Sequence, residues 1–170
     1  MNNLQAPFPA KNIEWRVQSD GIHNNKPWCR VLAYVDARAI QNRLDAIVGV
    51  ENWRDEYIFQ DDGVMCGISI RIERKDGDHV YHEWITKWNG SPETKVESFK
   101  GGISKSFVRC ASNWGVGRYL YYLKSNYGII DPNGKYSQKG KDGKYYKWNP
   151  PALPTWALPT EAQNGATDSK

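Results

Sequence analysis

Lys105, Arg109 and Ser112 recur at helical spacing in the stretch SKSFVRCASNWGVGRYLYYL, residues 104–123. Wound at 100° per residue, Phe99, Ile103, Phe107, Cys110 and Trp114 fall within a sector of about 80° on the other side. One face is suited to burial and the opposite face carries a basic ridge. Two cations on a rigid helix can meet a phosphate, or they can simply face water. Arg38 is a second basic position, near the start of an earlier predicted helix, where backbone N–H groups also favour anions. Aromatic residues crowd the end of the ridge: Trp114, Tyr119, Tyr121 and Tyr122. Such rings stack on bases whatever the sequence, and they fill cores equally well. The same pair of readings holds for Lys135, Lys139, Lys141, Lys144 and Lys147 among Tyr136, Tyr145, Tyr146 and Trp148, which form either a polyanion contact or a solvated hairpin.

Residues for covalent chemistry are scarce. There is no Gly-x-x-x-x-Gly-Lys-Ser/Thr loop, and GVG at 115–117 is too short for a dinucleotide loop and follows a helix. No Gly-x-Ser-x-Gly elbow is present, and His23, His79 and His82 read as surface residues. One pattern resembles a metal-dependent nuclease: Asp61 or Asp62 with Glu73 and Lys75, carboxylates for Mg²⁺ and a lysine for a water. Those groups lie at opposite ends of one predicted strand, roughly 30 Å apart, too far for one metal site. The cysteines, Cys29, Cys66 and Cys110, are dispersed, and no Cys-x-x-Cys or His-x-x-x-His pair occurs, so neither a structural zinc nor another cofactor is expected.

The elements that must position the ridge can be read from periodicity. Residues 1–11 read as an extended lead broken by Pro7 and Pro9. Residues 12–17 read as a short strand, 19–27 as a loop, and 28–34 as a strand. Residues 35–48 read as a helix capped by Asp36 and ended by Gly49. Three strands follow, at 53–60, 64–74 and 79–88, with turns at 61–63 and 75–78. Alternation along the middle strand sets Met65, Gly67, Ser69 and Arg71 against Cys66, Ile68, Ile70 and Ile72, a half-buried pattern. Residues 89–92 read as a loop leading to the long helix. The order predicts an α+β fold, an antiparallel sheet with helices packed on one face.

At 170 residues and 39% hydrophobic content, this is one domain with a tail. The boundaries expected are 1–130 for the body and 131–170 for a basic aromatic segment and a Pro-rich, disordered terminus. The net charge is +4, and the window 135–147, with five lysines against Asp142, accounts for all of it. Any anion site on the body must therefore come from local arrangement. No apolar run reaches about 18 residues, and the N-terminus lacks the pattern of a secretory signal. Reduced thiols and a cytoplasmic setting are expected.

Three blocks in order, FPAKNIEWRVQ (8–18), LAYVDARAIQNRLDAIVGVENW (32–53) and GGISKSFVRCASNWGVGRYLYYL (101–123), resemble the Rad-fifty-two superfamily of single-strand annealing proteins. The likeness is greatest to its bacterial and phage branch, the DdrA-like proteins, over residues 8–125 and a Trp-Pro segment at 148–159. It implies a β-β-β-α core, oligomeric rings, and single-stranded DNA held in a positively charged groove around the rim. It also implies ATP-independent annealing in homologous recombination and repair, with no cofactor and no covalent chemistry. By position, Arg38 matches an arginine of the inner groove and Arg109 a groove arginine on the long helix. Val108 and Ser112 stand where the eukaryotic branch has further basic residues, so the groove is expected either to be weaker or to be supplemented by Lys100, Lys105 and Arg118. A second DNA site falls near Arg71, Lys87 or Lys95, with Lys139, Lys141 and Lys144 as further contacts. Single-stranded DNA, further copies of the chain, and a nuclease or single-strand-binding protein are the implied partners, in a bacterial cell or phage-infected host, with no membrane. No counterpart of the eukaryotic recruitment region is expected. A DNA end-protection module and the nuclease remain as alternatives.

Overall fold

A computed structural model describes residues 2–92, 99–123 and 126–160. Two units emerge, one of Met1–Ala6 with Val35–Arg118 and one of Pro7–Tyr34 with Tyr119–Lys170.

In the first unit, α1 (Ala37–Val48) starts where the Asp36 carboxylate accepts the Ala39 N–H at 2.7 Å and ends at Gly49, whose φ of 88° suits glycine. Its buried stripe is Ala39, Ile40 and Leu44. Arg43 Nη1 donates to the Ala6 carbonyl at 2.7 Å and so ties down the N-terminal segment. That segment is not extended throughout: Asn2–Gln5 form a 3-10 turn with Leu4 buried, and Ala10–Asn12 form another. Pro7 and Pro9 fall outside both turns, so neither needs the N–H that proline lacks.

Strands β3 (Trp53–Gln60), β4 (Gly63–Asp76) and β5 (His79–Pro92) form an antiparallel sheet in the order β3-β4-β5. α2 (Phe99–Asn113) packs on β4 and β5, and α1 packs on α2. Cys66, Ile68 and Ile70 are fully buried on the helix-facing side, with Phe107 and Cys110 above them. The approach is close: a Cβ on Gly102 would stand 2.9 Å from Val64 Cγ2. Trp53 joins the two helices to the sheet, its Nε1 donating to Asp45 of α1 at 2.7 Å and its ring lying 6.2 Å from that of Phe107.

Two expectations fail in this sheet. Residues 89–92 are not a loop but continue β5, with Asn89 opposite Cys66 and Gly90 opposite Met65. Asn and Gly read locally as a turn, yet a long partner strand supplies pairing that outweighs that preference. The middle strand is also buried on both faces at its centre, because Gly67 and Ser69 are covered. The Trp88 ring lies across Gly67, and Ser69 Oγ meets Thr86 Oγ1 at 2.8 Å.

In the second unit, the expected loop at 19–27 is a hairpin. β1 (Ile13–His23) turns at Asn24 and Asn25, with φ of 48° and 60°, into β2 (Lys26–Val35). Asparagine tolerates the left-handed region that a two-residue hairpin turn requires, and the polar composition hid the strands. Strand β6 (Asn126–Tyr127) adds to β2. A separate sheet has the order β7-β9-β8, from Ile129–Ile130, Tyr145–Asn149 and Tyr136–Lys139. Trp148 of β9 is buried and stacks on Tyr136 at 4.7 Å, and Tyr146 donates to Asp20 at 3.2 Å. Part of the terminus expected to be disordered is folded: Thr155–Ala157 make a 3-10 turn with Ala157 buried. The expectation for 161–170 lies outside the described residues.

Two outcomes follow from this packing. A Cβ on Gly134 would stand 2.4 Å from the backbone N of Trp148. Gly134→Ala should cost about 1–3 kcal/mol, read as a lower urea midpoint at unchanged slope, and a parental midpoint would contradict the packing. All three cysteines are buried and unbridged. A thiol reagent should label none of them in the native protein and all of them in denaturant; prompt native labelling would show that the core is open.

Candidate nucleic-acid interface

The ridge is built on a helix that is bonded to the backbone of the sheet. Trp114 Nε1 donates to the Ile68 carbonyl at 3.0 Å, Cys110 Sγ to that of Lys87 at 3.0 Å, and Asn113 Nδ2 to that of Trp88 at 2.9 Å. In return, Asn89 Nδ2 donates to the Arg109 carbonyl at 3.1 Å, which Ser112 Oγ also reaches at 2.7 Å. The backbone carrying Arg109 is therefore held from two sides while its side chain stays exposed. Beneath it, the Cys66 thiol is pushed up by its bond to Cys110 and by burial, and the Tyr57 phenol is pushed up by burial and by Asp55. Both stay neutral at physiological pH, so neither adds an anion under the ridge.

Two expected site residues converge on the end of this helix. Arg118 donates through Nε to the Ser112 carbonyl at 2.6 Å and through Nη2 to that of Asn113 at 2.9 Å. Lys87 Nζ reaches the same Asn113 oxygen at 2.9 Å and sits 4.5 Å from the centre of the Trp114 ring. These cations satisfy the last carbonyls of α2 and complement its dipole. Both remain exposed, so Lys87, Arg109 and Arg118 gather at one end of α2. Lys105 lies one turn back, half-buried.

The other positions disperse. Arg38 is exposed in the first turn of α1, where the Asp36 carboxylate already accepts the Ala39 N–H, so one of the N–H groups at this helix start is taken before any phosphate arrives. Arg71 points from the sheet face opposite α2, so it and Lys87 cannot share one site. Lys139, Lys141 and Lys144 are exposed around the β8–β9 hairpin of the other unit. Lys95 and the Lys100 side chain lie outside the described residues. Asp61 and Asp62 form the β3–β4 turn, while Glu73 and Lys75 lie at the far end of β4. Among the described residues, no three His, Cys, Asp or Glu side chains gather to hold a metal.

The aromatic residues divide as well. Trp114 is buried, and the Tyr119 hydroxyl accepts the Phe8 N–H at 2.9 Å, so these two serve the core. Tyr121 and Tyr122 are each 68% exposed. Sequence reasoning missed Asn89 and Asn113 as supports of the ridge. Asn113, just before Gly115, carried a faint helix-end signal, whereas Asn89 was masked by its turn-like neighbours.

The model of the Rad52/22 family, double-strand break repair proteins, matches residues 1–131. The chain is 31% identical over 156 residues to the single-stranded DNA-binding protein DdrA of Deinococcus radiodurans, a match that covers 92% of this chain and 66% of that protein. Against the DdrA of Deinococcus deserti it is likewise 31% identical over 156 residues, covering 92% and 68%. It thus spans about two thirds of the length of these relatives. No solved structure gives a significant match. With strand-strand-strand-helix order in β3, β4, β5 and α2, and with the family model matching most of its length, the chain belongs to the Rad52/22 family.

Proposed function

We propose that this protein binds single-stranded DNA and anneals complementary strands without ATP, in recombination and double-strand break repair. The observation that carries the reading is the gathering of Lys87, Arg109 and Arg118 at one rigidly held end of α2. A phosphate backbone laid along that end meets cations whose positions are set before binding, with little ordering left to do. The two bacterial relatives named as single-stranded DNA-binding proteins support the ligand. Lys105 and Arg38 extend the contact, and the lysines of the β8–β9 hairpin add a sequence-independent pull. Catalysis of bond breakage has no part in the reading. The work is to hold one strand extended while its bases test a second. Assembly into a closed ring in the bacterial cytoplasm would sum many weak contacts into tight binding. End protection without annealing is the second reading, since the same cations serve it.

Binding should fall steeply with salt. Arg109→Ala should weaken it and flatten the plot of log affinity against log salt by roughly 0.7, the slope carried by one neutralised phosphate of a single strand. Far-UV circular dichroism should stay parental. Arg38→Ala should act in the same direction. Parental slopes in both variants would remove these residues from the interface.

Lys139→Ala, Lys141→Ala and Lys144→Ala tested together separate DNA contact from solubilisation. Point substitution is the better test than removal of residues 131–170, which would also take away Trp148 and the Tyr146 bond to Asp20. A shallower salt slope at unchanged particle size is expected, and an unchanged slope would leave these lysines as a solvated surface.

Sedimentation at micromolar concentration should show a large closed oligomer whose particles convert complementary oligonucleotides to duplex without nucleotide. A monomer with and without DNA would rule out the ring, and binding without duplex formation would favour end protection.

A further inference from the structure

Among the described residues, no helix of the first unit packs on the face of the β3-β4-β5 sheet turned away from α2. Register places Trp84, Thr86 and Trp88 of β5 on it, opposite Arg71, Ser69 and Gly67 of β4. Arg54 of β3, opposite Ser69, lies on the same face. Trp88 lies flat there. A Cβ on Gly67 would be 2.8, 2.8 and 2.9 Å from three contiguous ring atoms, a near-equal spacing that sets the ring plane parallel to the sheet. One ring face is spent on Gly67 and the other looks outward, and the residue is 38% exposed. The missing side chain at Gly67 is what lets the ring lie down. Trp84 is 40% exposed, and the Arg54 guanidinium sits 4.8 Å from the centre of its ring. The two tryptophans are four residues apart on one strand, about 13 Å.

We infer that this face is a stacking platform for the bases of single-stranded nucleic acid, with Trp88 and the Arg54–Trp84 pair as two seats and Arg71 beside them for phosphate. The inference rests on the single-strand reading above but uses a different surface, on the side of the sheet opposite the α2 cations. Flat rings presented outward between guanidinium groups suit a ligand with π-faces and negative charge. Arg54 can sandwich between Trp84 and a base, because a guanidinium plane stacks on both. The carboxylates on this face do not cancel it. Glu56 is paired to Arg54 at 3.6 Å, which steadies the guanidinium, and Glu73 lies one step beyond Arg71, opposite His82. A purely apolar protein partner would leave Arg71 without counter-charge.

The test compares two probes on the full-length protein: oligo(dT) and an abasic strand of the same length, which keeps the phosphates and lacks the rings. Trp88→Ala and Trp84→Ala should each weaken oligo(dT) binding about ten-fold and leave abasic binding unchanged, while Trp88→Phe keeps most of the affinity. Circular dichroism and sedimentation of each variant should stay parental. If the double tryptophan variant binds oligo(dT) as the parent does while Arg109→Ala is weakened, the platform is wrong and the α2 reading stands. If the parent binds neither probe, both fail. If the tryptophan variants change particle size with affinity per protomer intact, the face belongs to a second copy of the chain and the inference is overturned.

Discussion

Everything in the first unit depends on the attachment of α2 to the backbone of β4 and β5. The helix has little intrinsic reason to form. Its sequence, FKGGISKSFVRCASN, contains two glycines, three serines and two β-branched residues, all poorer than alanine in a helix interior. Its stability comes from tertiary contact instead. Three side chains within one turn, from Cys110, Asn113 and Trp114, donate to carbonyls of the sheet. The glycine at 102 that weakens the helix is the residue that lets it sit down on Val64. Propensity is given up for proximity, and the gain is a helix that cannot slide or rotate.

That attachment explains how a nearly neutral body makes an electropositive spot. The surplus charge of the chain lies elsewhere, in residues 135–147. At the end of α2, the carbonyls of Ser112 and Asn113 draw in Arg118 and Lys87, and the exposed Arg109 is carried on the same turn. The cations are collected by the negative end of a dipole and remain exposed to solvent. Structural capping and the proposed phosphate contact therefore draw on the same charges, which ties the integrity of the helix end to the strength of the proposed site.

The sequence shows some of this and hides the rest for physical reasons. The helix α1 and strand β3 are legible because a cap at Asp36, a stop at Gly49 and plain alternation all act locally. The basic ridge is legible as periodicity. The continuation of β5 through Asn89 and Gly90 is hidden, because only the partner strand favours it. The β1–β2 hairpin is hidden for a similar reason. Gly21 inside β1 looks like a breaker, but it leaves room for the Trp28 ring, where a Cβ would come within 2.9 Å. Lys87 illustrates the limit. Its charge is obvious, but its role follows from a register that brings it to the last carbonyl of a helix 26 residues away.

The unequal lengths of the strands have a mechanical consequence. β3 ends its pairing where Trp53 meets Ile70, yet β4 and β5 stay paired as far as Asp76 and His79. Past Ile70, two strands continue without a third, and a two-stranded ribbon is marginal by itself. Its residues are exposed from Glu73 to Trp84. Such a ribbon opens more readily than the three-stranded slab behind it. It behaves as a lever whose fulcrum is the Ile70–Ile85 pair, where the three-stranded slab gives way to the arm. Trp84 stands one residue outward from that fulcrum, so a pull on the tip at Gly77 is felt as a change in tilt where the aromatic surface begins.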